Sequence, residues 1–215
     1  MKYYIRRVPD RTLNSSYNQL EFEELFDYEH DPIKSYINQL ELISETDSVL
    51  IEDDVMLCKN FKEEIEKVIS KHPNTIISFF DNPAGYYKSK MKRNLSWTQC
   101  IYYPKDLSKI IAEEMKKVKC KPYTYDVILS LTMCRLKLNY LSYRPTLVQH
   151  LDFDTYIQEK CPRNRFTLYF KDYIDELGVD YNELIRVNNF RIKLEKIDRL
   201  VRLNILNKED THNGK

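Results

Sequence analysis

Apolar and polar positions along this chain switch repeatedly between the two-residue period of a strand and the three-to-four-residue period of a helix. KYYIRRV at residues 2 to 8 alternates as a strand and ends at Pro9, after which RTLNSSYNQL opens as a helix behind a polar cap. Residues 21 to 31 carry six carboxylates and no lysine or arginine, a solvated acidic face with a short strand, LFDY, inside it. In DPIKSYINQLELI, Asp31 is placed to cap a helix, Pro32 suits its first position, and Ile33, Tyr36, Ile37 and Leu40 recur at helical spacing. SVLIE follows as a buried strand. Asn60 and Glu63 have capping-box spacing ahead of a face made by Phe61, Ile65, Val68 and Ile69, and KHPN stops that helix. NTIISFF reads as the next strand, so strand, helix and strand form a βαβ unit.

The second half repeats the alternation. WTQCIYY, residues 97 to 103, is a strand closed by Pro104, and Asp106 stands as N-cap before a face of Leu107, Ile110, Ile111 and Met115. YTYDVILSLTMCRL is a buried helix, and LNYLSY an edge or half-buried strand before RPTLVQH. The pattern predicts an α/β domain over 1–155, with a mostly parallel sheet flanked by helices, then a helical extension over 156–207 and a disordered tail over 208–215.

Composition narrows this picture. At 215 residues with 42% hydrophobic and 31% charged content, the chain suits one core of a soluble domain, and it contains no long uncharged apolar stretch to span a membrane. MKYYIRRVPDR has no apolar signal core, which points to the cytoplasm. Five scattered cysteines without a CxxC pair favour reduced thiols over a disulfide framework or a zinc knuckle. Three glycines exclude both the GxGxxG fingerprint and the GxxxxGK[ST] phosphate loop, each of which needs glycine to bring backbone amides against phosphate.

The chemistry concentrates where SVLIE runs into Glu52, Asp53 and Asp54. Adjacent acids at the end of a buried strand repel one another and lose hydration, so a compensating charge is expected, and a divalent cation is the obvious one. If the strand continues, alternation puts Glu52 and Asp54 on one side and Asp53 on the other. Such a pair suits Mn²⁺ or Mg²⁺, with diphosphate and water completing the octahedron. Ligands of open α/β sheets also bind outside the carboxyl ends of the strands, where these acids fall.

LIEDDVMLCKNF resembles the acidic signature of GT-A glycosyltransferases, especially short enzymes related to lipooligosaccharide family 25 and their relatives in phage genomes. WTQCIYYPKDLSKII with YTYD after it, and RPTLVQHL, resemble later segments of the same enzymes in the same order. The likeness covers roughly residues 1 to 155, though DPIKSY stands where the family usually carries a Ser-His segment. It implies a GT-A, Rossmann-like fold, with Asp54 and His150 as metal ligands and Glu52 or Asp53 on the ribose or a metal-bound water. It also implies Asp126 as the general base facing the acceptor hydroxyl, although an acid at a helix start is favoured in any case. The implied donor is a nucleotide diphosphate sugar, UDP-glucose being one such donor.

Arg7 and Arg11, after the first strand, are candidates to grip the diphosphate or base, and Trp97 to stack on sugar or base, with plain surface and core as their ordinary roles. The turn-forming segment DNPAGYYKSKMKRNL, a candidate loop, brings Lys88, Lys90, Lys92 and Arg93 together. Between Arg186 and Lys208 seven basic residues face two acids, a local net of +5, while Val187, Phe190, Leu194, Ile197 and Val201 form a seam suited to packing on the domain or on a second copy as a homodimer. The basic stretch suits a DNA acceptor, a hydroxymethylated pyrimidine of phage-type DNA in host cytoplasm, with a surface saccharide as the alternative. A non-catalytic nucleotide-sugar-binding module and metal-dependent phosphoryl chemistry are the other function classes open to the same acids.

Overall fold

The computed structural model describes residues 1–28, 31–80, 97–118, 124–151 and 170–178. The segment 81–95, the stretch from Arg186 to Lys208, most of the extension over 156–207 and the tail lie outside the described residues.

Among the described residues six strands form one sheet in the order β2-β1-β3-β6-β5-β7, made of β1 (Lys2–Arg7), β2 (Glu23–Phe26), β3 (Ser48–Glu52), β5 (Ile76–Ser78), β6 (Cys100–Tyr103) and β7 (Tyr140–Ser142). All but β6 run one way, and β6 lies antiparallel between β3 and β5. The sheet is therefore mostly parallel, as the alternating pattern predicts. The βαβ unit nevertheless closes differently, because β6 separates its two strands. A second, two-stranded sheet pairs β4 (Val55–Leu57) with β8 (Val148–His150).

Helices cover both faces. Tyr4, Leu50, Ile101 and Tyr103 meet α1 (Pro32–Leu42), α3 (Leu107–Met115) and α4 (Tyr125–Arg135) through Tyr36, Leu40, Ile111, Ala112 and Leu129. On the opposite face Ile5, Val49, Ile51 and Tyr102 pack with Phe61, Ile65 and Val68 of α2 (Phe61–Ile69) and with Val55 and Val148 of the small sheet. Every residue of β3 is buried, which explains why Val49, Leu50 and Ile51 follow one another as an apolar run rather than alternating with polar residues. A short α5 (Lys171–Leu177) adds to this side, and both oxygens of Asp172 accept from Lys59 N at 3.1 Å.

Local expectations divide. Asp31 caps α1 by accepting from Ile33 N and Lys34 N at 3.1 and 3.0 Å, as its sequence context predicts. Asn60 and Asp106 occupy the N-cap positions of α2 and α3 but adopt left-handed backbone, with φ of 55° and 67°, and neither side chain caps. The predicted capping box is thus not formed; Gln19 Oε1 accepts from Phe61 N at 2.9 Å instead. The helix expected after Pro9 is only a 3-10 turn, Ser15–Gln19. Its polar side chains bond across the fold: Asn14 Nδ2 donates to Val55 O at 2.8 Å, Ser16 Oγ accepts from Leu57 N at 3.0 Å, and Gln19 Nε2 donates to Cys58 O at 3.1 Å. Those bonds replace helical ones, and they fasten the first loop to the chain just beyond the acids. Among the described residues no helix is long and apolar enough to cross a membrane.

Candidate functional site

β3 ends at Glu52, and Asp53 and Asp54 form the turn into β4. The alternation expected for three acids in one strand therefore does not hold. Glu52 faces the layer of α1 and α4, whereas Asp53 and Asp54 both meet Arg11. The turn is held from three directions. Asp53 N donates to Arg6 O at 3.1 Å, Tyr17 OH donates to Glu52 O at 2.6 Å, and Leu151 N donates to Asp54 O at 2.7 Å.

Around the turn, Asp53 accepts Val8 N at 2.8 Å and the guanidinium of Arg11, which also lies 3.7 Å from Asp54 Oδ2. His150 Nε2 stands 3.3 Å from that same Asp54 oxygen, and both side chains are nearly buried. The pairing of Val55 with His150 in the small sheet produces this approach. Burial, more than the Asp54 charge, pushes the Asp53 carboxyl above its ordinary range despite Val8 and Arg11.

Beneath the turn, Glu52 is enclosed. Its Oε1 accepts Thr98 Oγ1 at 2.6 Å and Tyr125 OH at 2.7 Å, and Arg6 Nη1 lies 3.9 Å away. The Arg6 guanidinium also sits 4.3 Å from the centroid of the Tyr125 ring and 5.3 Å from that of Tyr36, and those two rings stack at 4.9 Å. Burial first, and then the Asp54 charge, raise the Glu52 carboxyl above the ordinary glutamate range, against the pull of Arg6, Thr98 and Tyr125. Gln99, also buried, approaches Glu52 Oε2 with its amide nitrogen at 3.5 Å, and its amide oxygen has no hydrogen-bond partner among the described residues.

The remaining candidates sit differently. Arg7 is engaged with the edge strand, bonding Glu24 at 2.6 Å, lying over the Phe26 ring and donating to the Arg11 carbonyl. It supports the Arg11 loop rather than facing the acids. Trp97 is half-buried and meets Phe80 edge-on at 5.8 Å, and Phe80 in turn lies 6.5 Å from the His150 ring. Trp97 thus forms part of the wall behind the histidine. Asp126, in the first turn of α4, accepts the Thr124 hydroxyl and Val127 N at 2.9 Å; its neighbour Tyr125 is the residue that reaches Glu52.

Arg6, Thr98, Gln99 and Tyr125 are absent from the sequence-based site. The antiparallel register of β6, with Cys100 opposite Ile51, is what carries Thr98 and Gln99 to the end of β3. Only the position of Tyr125 beside Asp126 in YTYD hinted at any of them.

No family model and no curated protein matches the chain. Among solved structures, A197 from STIV aligns with a TM-score of 0.44 at 11% identity, covering 72% of this chain and 87% of that one. The chemistry of the site rests on its own geometry.

That geometry admits a cation at Asp54 and His150. Neighbouring donors around an octahedral ion with bonds of about 2.1 Å stand about 3 Å apart, close to the 3.3 Å found here. A carboxylate with an imidazole suits Mn²⁺ better than Mg²⁺, which prefers oxygen throughout. Among the described residues no group of three or more His, Cys, Asp or Glu converges on a metal position. The pair offers two donors only.

Proposed function

We propose that this chain is a metal-dependent glycosyltransferase that moves a sugar from a nucleotide diphosphate, UDP being the nucleotide, to an acceptor hydroxyl. The observation that carries the proposal is the Asp54–His150 pair, nearly buried beside Arg11 at the carboxyl end of the central strand. The raised carboxyls of Glu52 and Asp53 support it, since they mark acids whose charge the chain itself under-compensates. The order of acidic turn, β6, α4 and His150 also follows the order of segments in the GT-A-like signature.

In this proposal Asp54 and His150 would hold Mn²⁺, which when bound would supply positive charge against a departing diphosphate. Arg11 contacts phosphate oxygens, and Asp53 lies beside the ribose. Glu52 braces the turn from below. Asp126 takes the proton of the acceptor hydroxyl as the hydroxyl oxygen bonds to the anomeric carbon; the bond from that carbon to the diphosphate breaks, and its electron pair leaves on the phosphate oxygen. The +5 net charge between Arg186 and Lys208 favours a hydroxymethylated pyrimidine in DNA as the acceptor, ahead of a surface saccharide.

Thermal shift across a panel of nucleotide sugars, with and without Mn²⁺, tests the donor and the metal together. A UDP-sugar at about 100 times its Kd should stabilise the chain by about 2.7 kcal/mol in Mn²⁺ and much less in EDTA. The proposal fails if no nucleotide sugar stabilises the chain in Mn²⁺, or if Asp54→Ala responds like the wild type.

A further inference from the structure

The proposed metal position already has a cation at its edge. Arg11 bonds the carboxylate of Asp53 and lies 3.7 Å from Asp54 Oδ2, the same oxygen that faces His150 Nε2 at 3.3 Å. A metal on that oxygen would share it with a guanidinium. We propose that Arg11 is a displaceable counter-cation: it offsets one charge of the acid turn before the donor binds, opposes the metal alone, and passes to the diphosphate when metal and donor arrive together. This rests on the metal-dependent function above and adds to it a source of cooperativity between metal and diphosphate.

The charge balance at the two aspartates favours such an exchange. Asp53 and Asp54 contribute two negative charges and Arg11 one positive, so a divalent ion changes the local sum from −1 to +1 with two cations a few ångströms apart in a poorly hydrated turn. A diphosphate restores the balance and offers the guanidinium oxygens that it binds well in its forked geometry. The anchoring of Arg11 suits a pivot of its side chain alone. Its amide donates to Val8 O at 3.1 Å, and its carbonyl accepts from the Arg7 guanidinium, so the backbone is tied at both groups. Arg7 is itself tied to Glu24 on the edge strand. By linkage, whatever the diphosphate gains from a bound metal, the metal gains from the diphosphate.

A purely structural Arg11, holding its loop to Asp53, predicts something different: its removal would lower the melting temperature and leave metal affinity unchanged. Free Mn²⁺ can be followed by electron paramagnetic resonance during titration of the full chain, with and without UDP, in wild type and Arg11→Met. Arg11→Met should bind Mn²⁺ alone about 10-fold more tightly, and the enhancement of Mn²⁺ binding by UDP should shrink by about the same factor, within the usual range of coupling between sites. Equal affinity for Mn²⁺ alone, or an undiminished UDP enhancement, overturns the inference while leaving the metal site standing. If neither protein binds Mn²⁺ under either condition, the metal-dependent function falls and the inference with it. Should Arg11→Met fail to fold, Arg11→Lys carries the test. It retains the charge that opposes metal but loses the fork, so Mn²⁺ alone should bind as in wild type and the UDP enhancement should fall about 10-fold; an unchanged enhancement in Arg11→Lys overturns the inference.

Discussion

His150 Nε2 stands 3.3 Å from Asp54 Oδ2 because β8 pairs antiparallel with β4 and sets His150 opposite Val55. A strand of three residues on each side thereby joins a turn near the start of the domain to a segment near its end. Asp54→Ala should weaken Mn²⁺ binding by at least the ~100-fold that loss of a mere outer partner can reach, and should leave the far-ultraviolet spectrum unchanged. His150→Ala should weaken it by about 10- to 100-fold. His150 also packs against Phe80, so a histidine serving only as core would reveal itself by a lower melting temperature at unchanged Mn²⁺ affinity.

Tyr125 joins α4 to Glu52 through a hydrogen bond and to α1 through its stack on Tyr36. Tyr125→Phe keeps the ring beside Arg6 and stacked on Tyr36 but removes the hydroxyl that donates to Glu52. A hydrogen bond to a charged acceptor contributes about 1.5–3 kcal/mol, so the urea midpoint should fall correspondingly with an unchanged slope. Tyr125→Ala should cost more, since it also removes the ring that faces the Arg6 guanidinium. Equal stability of Tyr125→Phe and wild type would show that Thr98 and Arg6 alone satisfy Glu52.

The elements that proved legible in the sequence are those whose signals are local. Asp31 with Pro32 marks the start of α1 because cap and first turn lie within a few residues, and the apolar faces of α1 and α2 follow from helical spacing; in α3 Ile111 and Met115 are buried as expected, whereas Ile110 is exposed and Ala112 takes its place. The acid turn was legible because three carboxylates after a buried strand break the pattern. What escaped notice depends on distant partners. The segment after Pro9 has helical composition, yet Asn14, Ser16 and Gln19 bond to β4 and the start of α2 as well as within their own turn. β4 and β8 are too short to show a period, and nothing local reveals that β6 runs antiparallel. The alternation of the acids was conditional on the strand continuing, and the strand stops at Glu52, whose partners Arg6, Thr98 and Tyr125 come from three distant segments.

The enclosed Glu52 makes stability depend on pH in a direction opposite to that of an ordinary paired carboxylate. Burial and the Asp54 charge raise its folded-state pKa above the usual glutamate value, so the folded chain keeps a proton where the unfolded chain has lost it. The contribution of this proton to stability is greatest at low pH and declines as pH rises from about 4.5 through the raised value. Glu52→Gln removes the titration while keeping a similar shape. Urea midpoints measured in EDTA from pH 4.5 to 7 should show wild type losing stability relative to Glu52→Gln as pH rises, with the difference levelling off above the folded pKa. Parallel curves across that range would contradict a raised Glu52.

Asp126 separates a chemical role from a helix-terminal one. It sits in the first turn of α4, accepts Val127 N at 2.9 Å and pairs with the Thr124 hydroxyl, all of which would suit an acid serving the helix alone. Asparagine preserves the oxygen that accepts those bonds and removes only the charge and the capacity to take a proton. Asp126→Asn should therefore cost no more than about 0.3–1 kcal/mol of stability, the usual worth of a charge against the helix dipole. If Asp126 is the base, kcat should fall by about 10²- to 10⁴-fold while donor affinity stays as it was, because proton transfer is needed in the transition state and not in the bound ground state. Isothermal titration with UDP and Mn²⁺ measures the second quantity, and UDP release in the presence of acceptor measures the first. A kcat that survives the substitution would leave Asp126 with the helix and require a different group to accept the hydroxyl proton.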